Sequence, residues 1–281
     1  MPDHRLTMRG EARQDRPENN SGHNYCVRSS LVCKLHHQVP YGGHDTVYGE
    51  HVVSSGRGSG PGEVLNLCFH GIGTPERTLE PDEELYWIEP AQFNEFLTVV
   101  VRYPSVRITF DDGNRSDIAL ALPALLEHNL KATFFVISSR LGQPGSLTPA
   151  EVRSLVRSGM TVGSHGMWHR SWRSANDKEL HEELAGAAEA IAEAAGQTVR
   201  EAACPFGAYD RRVLSAARRH GFSHVYTVDG RPAKSDAWLQ SRYTIRASDT
   251  PADLEHRAGF PHGKSFPAAV AKGKSLIKQW R

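Results

Sequence analysis

The chain has 281 residues, 39% of them hydrophobic and 23% charged, with a formal net charge of +1. That length admits one large domain or two small ones, and so even a charge balance gives no electrostatic case for nucleic acid or an anionic membrane as partner. The four cysteines, Cys26, Cys33, Cys68 and Cys204, are too few and too scattered for a disulfide framework, and no apolar run is long enough to span a bilayer. The charged, polar N-terminus has no signal-peptide pattern, so a cytoplasmic location is expected.

Residues 1–62 carry no sustained periodicity and end in the linker-like "SSGRGSGPG". They are expected to form a flexible extension, with too little apolar surface to offset the entropy of ordering. Cys26 and Cys33 lie near His36 and His37, but their spacing is wider than paired zinc-binding cysteines adopt.

Residues 63–281 read as the folded domain. "VLNLCFHGIG", Val64 to Gly73, is a short apolar strand ending in His70. Taken locally, that histidine fits a turn, a core position or the edge of an active site. "VRITF" is a second strand and runs into Asp111 and Asp112. A helix is expected next, capped by Ser116 and placing Ile118, Leu122, Leu125 and Leu126 inward. "KATFFVI" is a buried strand. Thr148, Pro149 and Glu151 form the start of a helix with a capping box, which Gly159 stops. "MTVGSH" is the next strand. The segment from Asn176 to Gly196 reads as one long amphipathic helix using Leu180, Leu184, Ala188 and Ile191. "EAACPFG" ends a strand, a helix capped by Asp210 follows, and "HVYTVDG" and "SRYTIRA" complete the set.

Alternating strands and helices predict an α/β fold with mainly parallel strands and helices outside. No glycine-rich phosphate loop follows the first strands, which favours a closed barrel over a dinucleotide-binding open sheet. Chemistry is then expected at the C-terminal ends of the strands. Asp111, Asp112, His165, Pro205, Phe206 and His70 all fall at such ends, with His169 four residues beyond His165. Two histidines four apart would share one face of a helical turn. With a carboxylate from a neighbouring strand they make a three-ligand metal site with a position open to water. Paired carboxylates suit a division of labour, one binding metal and one acting as base.

The ordered motifs "TFDDG", "SHGMWH" and "CPFGAYD" resemble those of the polysaccharide deacetylases, the NodB-homology or carbohydrate esterase family 4 domain, over roughly Val64 to Asp249. The resemblance implies a distorted, seven-stranded, TIM-like (β/α) barrel. It also implies a metal-dependent hydrolase, most often using Zn2+, that removes N- or O-acetyl groups from a polysaccharide or oligosaccharide. By matching positions it makes Asp111 the general base, Asp112, His165 and His169 the metal ligands, and the Phe206 backbone an oxyanion contact. Two departures stand out. The arginine that orients the base in many members is Ala203 here, which leaves Arg115 or Arg242 to replace it. The late acid histidine is also missing, since His256 and His262 lie in no apolar strand. In the circularly permuted exopolysaccharide branch, which includes poly-N-acetylglucosamine deacetylases, that histidine comes from the first strand, and "NLCFH" resembles that segment with His70 as the acid.

Trp168, Pro205, Phe206 and Arg242 are the candidate substrate contacts. Trp172 could equally be core, Asp117 reads as first-turn helix charge, and Cys204 as a small buried residue. Two rival readings remain: a hydrolase of small amides or imides on the same barrel, and a carbohydrate-binding protein that has lost turnover.

Overall fold

The computed structural model describes residues 62–259. The expectations for the N-terminal extension, including Cys26, Cys33, His36 and His37, and for His262 lie outside the described residues.

Seven parallel strands close on themselves: β1 (Glu63–Phe69), β2 (Val106–Phe110), β3 (Ala132–Val136), β4 (Thr161–Ser164), β5 (Glu201–Ala203), β6 (His224–Thr227) and β7 (Leu239–Thr244). Each pairs with its successor, and β7 returns to β1 with Asn66 opposite Arg242 and Cys68 opposite Thr244. The expected closed (β/α) barrel is therefore what the chain forms. Two residues, Ala233–Lys234, add a short antiparallel pairing to the start of β1.

The two-residue period of the strands divides their side chains sharply. Leu65, Leu67 and Phe69 of β1, Ile108 and Phe110 of β2, and Phe134 and Val136 of β3 belong to the large apolar cluster shared with the helices. Phe110 stacks on Phe134 at 4.7 Å, and Phe69 meets Phe93 edge-on at 5.3 Å from α1 (Pro90–Val100). The alternate positions face the barrel lumen, and there the chain is largely polar. Asn66 donates to Gln240 and to the Ser241 carbonyl, and Arg242 reaches groups on β2 and β6. Among the described residues, Phe135, Ala203 and Tyr226 form a small apolar cluster on this inner side. A lumen built of buried polar groups must satisfy them internally, and cross-strand hydrogen bonds beneath the C-terminal rim satisfy most of them, Asn66 Oδ1 being an exception.

Several helix boundaries follow the sequence signals. Thr148 and Glu151 form the capping box of α3 (Pro149–Arg157), and Asp210 accepts from the Val213 amide at 2.9 Å to cap α6 (Arg211–Arg219). Others differ. Ser116 is already helical and caps nothing; its Oγ instead accepts from the Ile72 amide at 3.3 Å, tying the β2 turn to the chain after β1. A π-helical turn, Asp117–Ala121, precedes α2 (Leu122–Glu127) and rotates Leu126 out to 48% exposure. The long helix expected from Asn176 is likewise two α-helical pieces, α4 (Asp177–His181) and α5 (Ala187–Ala195), joined by a π-turn at Glu182–Gly186. This turn has a visible purpose: it carries Glu183, 1% exposed, whose carboxylate accepts from the Met167 and Trp168 amides and from the Trp172 indole. The last helix, α7 (Pro251–Gly259), packs beside α1 and carries an exposed His256.

Candidate active site

Strand register brings the candidate residues together. Phe69 pairs with Phe110, and the Asp111 amide donates to the Phe69 carbonyl at 2.9 Å, so His70 and Asp111 leave adjacent strands side by side. The His165 amide donates to the Val136 carbonyl at the end of β3, and the Cys204 amide to the Tyr226 carbonyl at the end of β6. These ends line a cleft of about 320 Å³ whose walls include His70, Asp111, Asp112, His165, His169 and Phe206.

The backbone bends hard to build it. Among the described residues, five that are not glycine have positive φ, and four of them line this cleft: Asp82, Asp112, His169 and Phe206. An L-residue held there costs about 1–2 kcal/mol, a cost that clusters where side-chain aim matters more than local stability. Asp112 at φ 78 and Gly113 at φ 70 fold the chain back after β2, so the two carboxylates diverge. The two histidines do not share a helical turn as their spacing predicts. Gly166 at φ 84 and His169 at φ 54 make an irregular loop that brings the rings to 5.3 Å of each other.

Both imidazoles are oriented through Nδ1. His165 Nδ1 lies 3.0 Å from the Ala203 carbonyl, and His169 Nδ1 lies 2.8 Å from Glu80 Oε2. A ring that donates from Nδ1 presents a lone pair at Nε2, and both Nε2 atoms stand 3.6 Å from Asp112 Oδ1. That oxygen is buried and has no hydrogen-bond partner. Neighbouring ligands of a tetrahedral zinc at about 2.0–2.1 Å are about 3.3 Å apart, so this donor set fits a divalent metal with little adjustment. Burial holds His165 near pKa 4 despite both aspartates, which keeps its imidazole neutral as a ligand must be. Asp112, His165 and His169 thus make a group able to hold a divalent metal, and Cys68, His70 and Asp111 are a second such group among the described residues.

Asp111 has a different environment. Arg242 clasps it with Nη1 at 2.6 Å and Nη2 at 2.7 Å, while the same guanidinium donates to Thr109 Oγ1 and the Thr227 carbonyl. Burial pushes the Asp111 carboxyl up, but Arg242, with His165 and His70, more than offsets this and holds it well below the usual carboxylate range. Asp112 is also lowered, its burial outweighed by His169, His70 and His165. Of the two arginines expected to replace the one absent at Ala203, Arg242 is therefore the one that meets Asp111. Ala203 itself is fully buried and gives its carbonyl to His165, while the guanidinium packs over Phe135 and Tyr226. Arg115 takes no part; it is half exposed and pairs with Glu151 at 3.3 Å.

The four substrate contacts expected from sequence lie in different settings. Arg242 is 0% exposed, beneath Asp111. Pro205 is buried, and Trp168, 43% exposed beside Arg170, is not among the residues that line the cleft. Phe206 alone of the four lines it, 61% exposed with its ring 4.4 Å from His169. Trp172 is core, and Asp117 is no surface charge but fully buried. Cys204 is buried as expected and also touches the cleft. The residues that sequence reasoning passed over come from the segment between β1 and α1. Glu80 and Tyr86 both line the cleft, and Tyr86 packs on His70 at 5.2 Å. Their acid-rich setting, "LEPDEELY", reads as an ordinary solvated loop.

A family model described as polysaccharide deacetylase matches residues 99–225, the stretch that carries Asp111, Asp112, His165, His169 and Phe206. Over that stretch the chain is similar to the polysaccharide deacetylase family. Its relatives include YxkH of Bacillus subtilis, 26% identical over 203 residues, which cover 67% of this chain and 72% of YxkH. A chitooligosaccharide deacetylase of Bradyrhizobium is 33% identical over 130 residues, 45% of this chain and 58% of that protein. Among solved structures, the fold is similar to Streptococcus pyogenes deacetylase PplD, at TM-score 0.60 and 20% identity, covering 70% of this chain and 98% of that one. It is also similar to IcaB from Ammonifex degensii, at TM-score 0.58 and 21% identity, covering 72% and 99%. Neither His70 nor Arg242 lies within the family-model match, and both come from the two strands that close the barrel.

Proposed function

We propose that this protein is a zinc-dependent hydrolase that removes acetyl groups, N-linked in the first instance, from a polysaccharide or oligosaccharide. The observation that carries this reading is the pair of neighbouring sites: a three-ligand metal set, and beside it an aspartate kept anionic by a buried arginine. A binding module has no use for the second. The nitrogen- and oxygen-donor set with one open position suits Zn2+.

A divalent cation held by Asp112, His165 and His169 would supply Lewis acidity and acidify water. The chain's own groups do the rest. Asp111 takes the proton of the attacking water, and Arg242 keeps its carboxylate ionised and its two oxygens fixed in direction. The backbone N–H of Phe206, on the cleft wall, donates to the developing oxyanion, and its exposed ring offers a face to a sugar. His70, on the Asp111 side of the cleft, protonates the departing amine. Supply of this histidine by the first strand supports placement in the circularly permuted branch, because β1 lies between β7 and β2 in the closed barrel.

The test is a substrate panel with metal analysis. The zinc-loaded protein is expected to release acetate from acetylated chitooligosaccharides and leave small cyclic imides intact. Hydrolysis of the imides alone would favour the rival amide hydrolase. Bound zinc with no turnover of any acetylated glycan would favour the non-catalytic reading.

A further inference from the structure

The two histidine ligands are oriented by unequal means. His165 is fixed by a main-chain carbonyl at the end of β5, which no substitution of a side chain removes. His169 depends on one carboxylate, Glu80, at 2.8 Å from Nδ1. We propose that Glu80 is a positioning residue of the metal site: it locks His169 in the Nδ1–H tautomer, aims Nε2 at Asp112 and so sets the affinity for the cation. This rests on the reading of Asp112, His165 and His169 as a metal site.

Three features give Glu80 that role rather than a place in a solvated loop. Its segment is anchored by buried groups: the Glu80 amide donates to Glu83 Oε2 at 2.8 Å, and Glu83 is 8% exposed and ion-paired with Arg77. The anchor touches the site a second time. Arg77 Nε donates to Asn114 Oδ1 at 3.0 Å, and Arg77 Nη2 lies 3.7 Å from Asp112 Oδ2, which leaves Oδ1 as the oxygen facing both histidines. Glu80 also pairs with Arg140 from the chain after β3, so its carboxylate is held from the far side while it accepts from His169. A carboxylate behind a ligating imidazole fixes the ring and strengthens it as a donor, and loss of such partners weakens metal binding about 10–100-fold.

The full chain and the variants Glu80→Gln, Glu80→Ala and Arg140→Met separate positioning from simple loop anchoring. Zinc dissociation constants are read by competition with a chromogenic chelator, and the His169 tautomer by long-range proton–nitrogen NMR of the metal-free proteins. Expected is an Nδ1–H tautomer in the parent protein that becomes mixed in Glu80→Ala, with zinc affinity falling about 10–100-fold in Glu80→Ala and less in Glu80→Gln, which keeps an acceptor. Arg140→Met should weaken zinc by less than about threefold, since the Glu80–His169 contact survives it. Parent-like affinity and tautomer in Glu80→Ala would overturn the assignment, as would an Arg140→Met loss equal to that of Glu80→Ala. A parent protein that binds no zinc would instead bring down the metal reading on which the assignment rests.

Discussion

Replacing Arg242 with Met would test the part of the site that most departs from the family pattern. In the native protein Asp111 and Arg242 are both enclosed, joined by two short charge-assisted hydrogen bonds. Without the guanidinium, the largest influence opposing burial at Asp111 is gone, leaving His70 and a His165 that is neutral above about pH 4. A buried carboxylate stripped of its partner costs about 3–5 kcal/mol while it stays charged. Protonation is the escape, and it fixes the sign. The native carboxyl is depressed, so its contribution to stability is complete above its unfolded pKa of about 3.9 and is lost only as pH falls toward the folded value. In Arg242→Met the folded value rises above the unfolded one, so the penalty is small in acid and grows as pH rises. Urea titrations at pH 5 and pH 8 should therefore show the larger deficit at pH 8. The same change moves the acidic limb of kcat/KM on an acetylated chitooligosaccharide to higher pH, and activity below that limb falls by about 10²-fold or more with the loss of an ionised base. Arg242→Lys keeps the charge but not the fork and should fall between the two. An Arg242→Met protein with native urea midpoints at both pH values and an unmoved acidic limb would refute this account.

Other substitutions probe the remaining groups. His70→Gln should lower kcat about 10²–10⁴-fold with zinc content unchanged, whereas loss of zinc would make His70 a ligand rather than an acid. Asp117 is pushed well above the usual carboxylate range by burial, and further by Asp112 and Asp111. Its folded form favours the proton, so ionisation erodes stability as pH climbs above the unfolded value. Asp117→Asn should raise the melting temperature, and by more at pH 8 than at pH 5; equal or opposite shifts would show that the carboxyl is charged and paired. Thr148→Ala removes the capping box of α3 and should cost about 1 kcal/mol, read as a lower urea midpoint at constant slope.

How much of this was legible in the chain depends on whether the signal was local. The parallel barrel follows from alternating strand and helix patterns, and the caps at Thr148 and Asp210 from side chains acting within three residues of themselves. The motifs "TFDDG" and "SHGMWH" place Asp111, Asp112, His165 and His169 at strand ends, where the structure assembles them. Local pattern misleads where backbone geometry leaves its usual wells. The i, i+4 spacing of His165 and His169 imitates a helical turn, yet left-handed conformations at Gly166 and His169 bring the rings together by another route. The π-turns at Asp117–Ala121 and Glu182–Gly186 shift helical phase by one residue, which is why Leu126 faces outward. Glu80 was invisible because only a fold that returns the β1–α1 segment over the rim brings it to His169.

Arg242 and His70 show a further reason. In the sequence they lie 172 positions apart, and only the family resemblance, not any local pattern, points to either of them. Pairing of β7 with β1 sets Asn66 beside Arg242 and Cys68 beside Thr244, two residues below His70 on the same lumen-facing column. Orientation of the base and the candidate acid are thus both set at the seam where the barrel closes, and neither is fixed until it does. Asp112 instead follows β2, and His165 and His169 follow β4, strands joined through β3 with no pairing across the seam. A change that loosens the seam, such as Asn66→Ala, which deletes the bonds to Gln240 and Ser241, should therefore spare zinc affinity while lowering turnover. Zinc loss in step with activity would mean that the two halves of the site are not built independently.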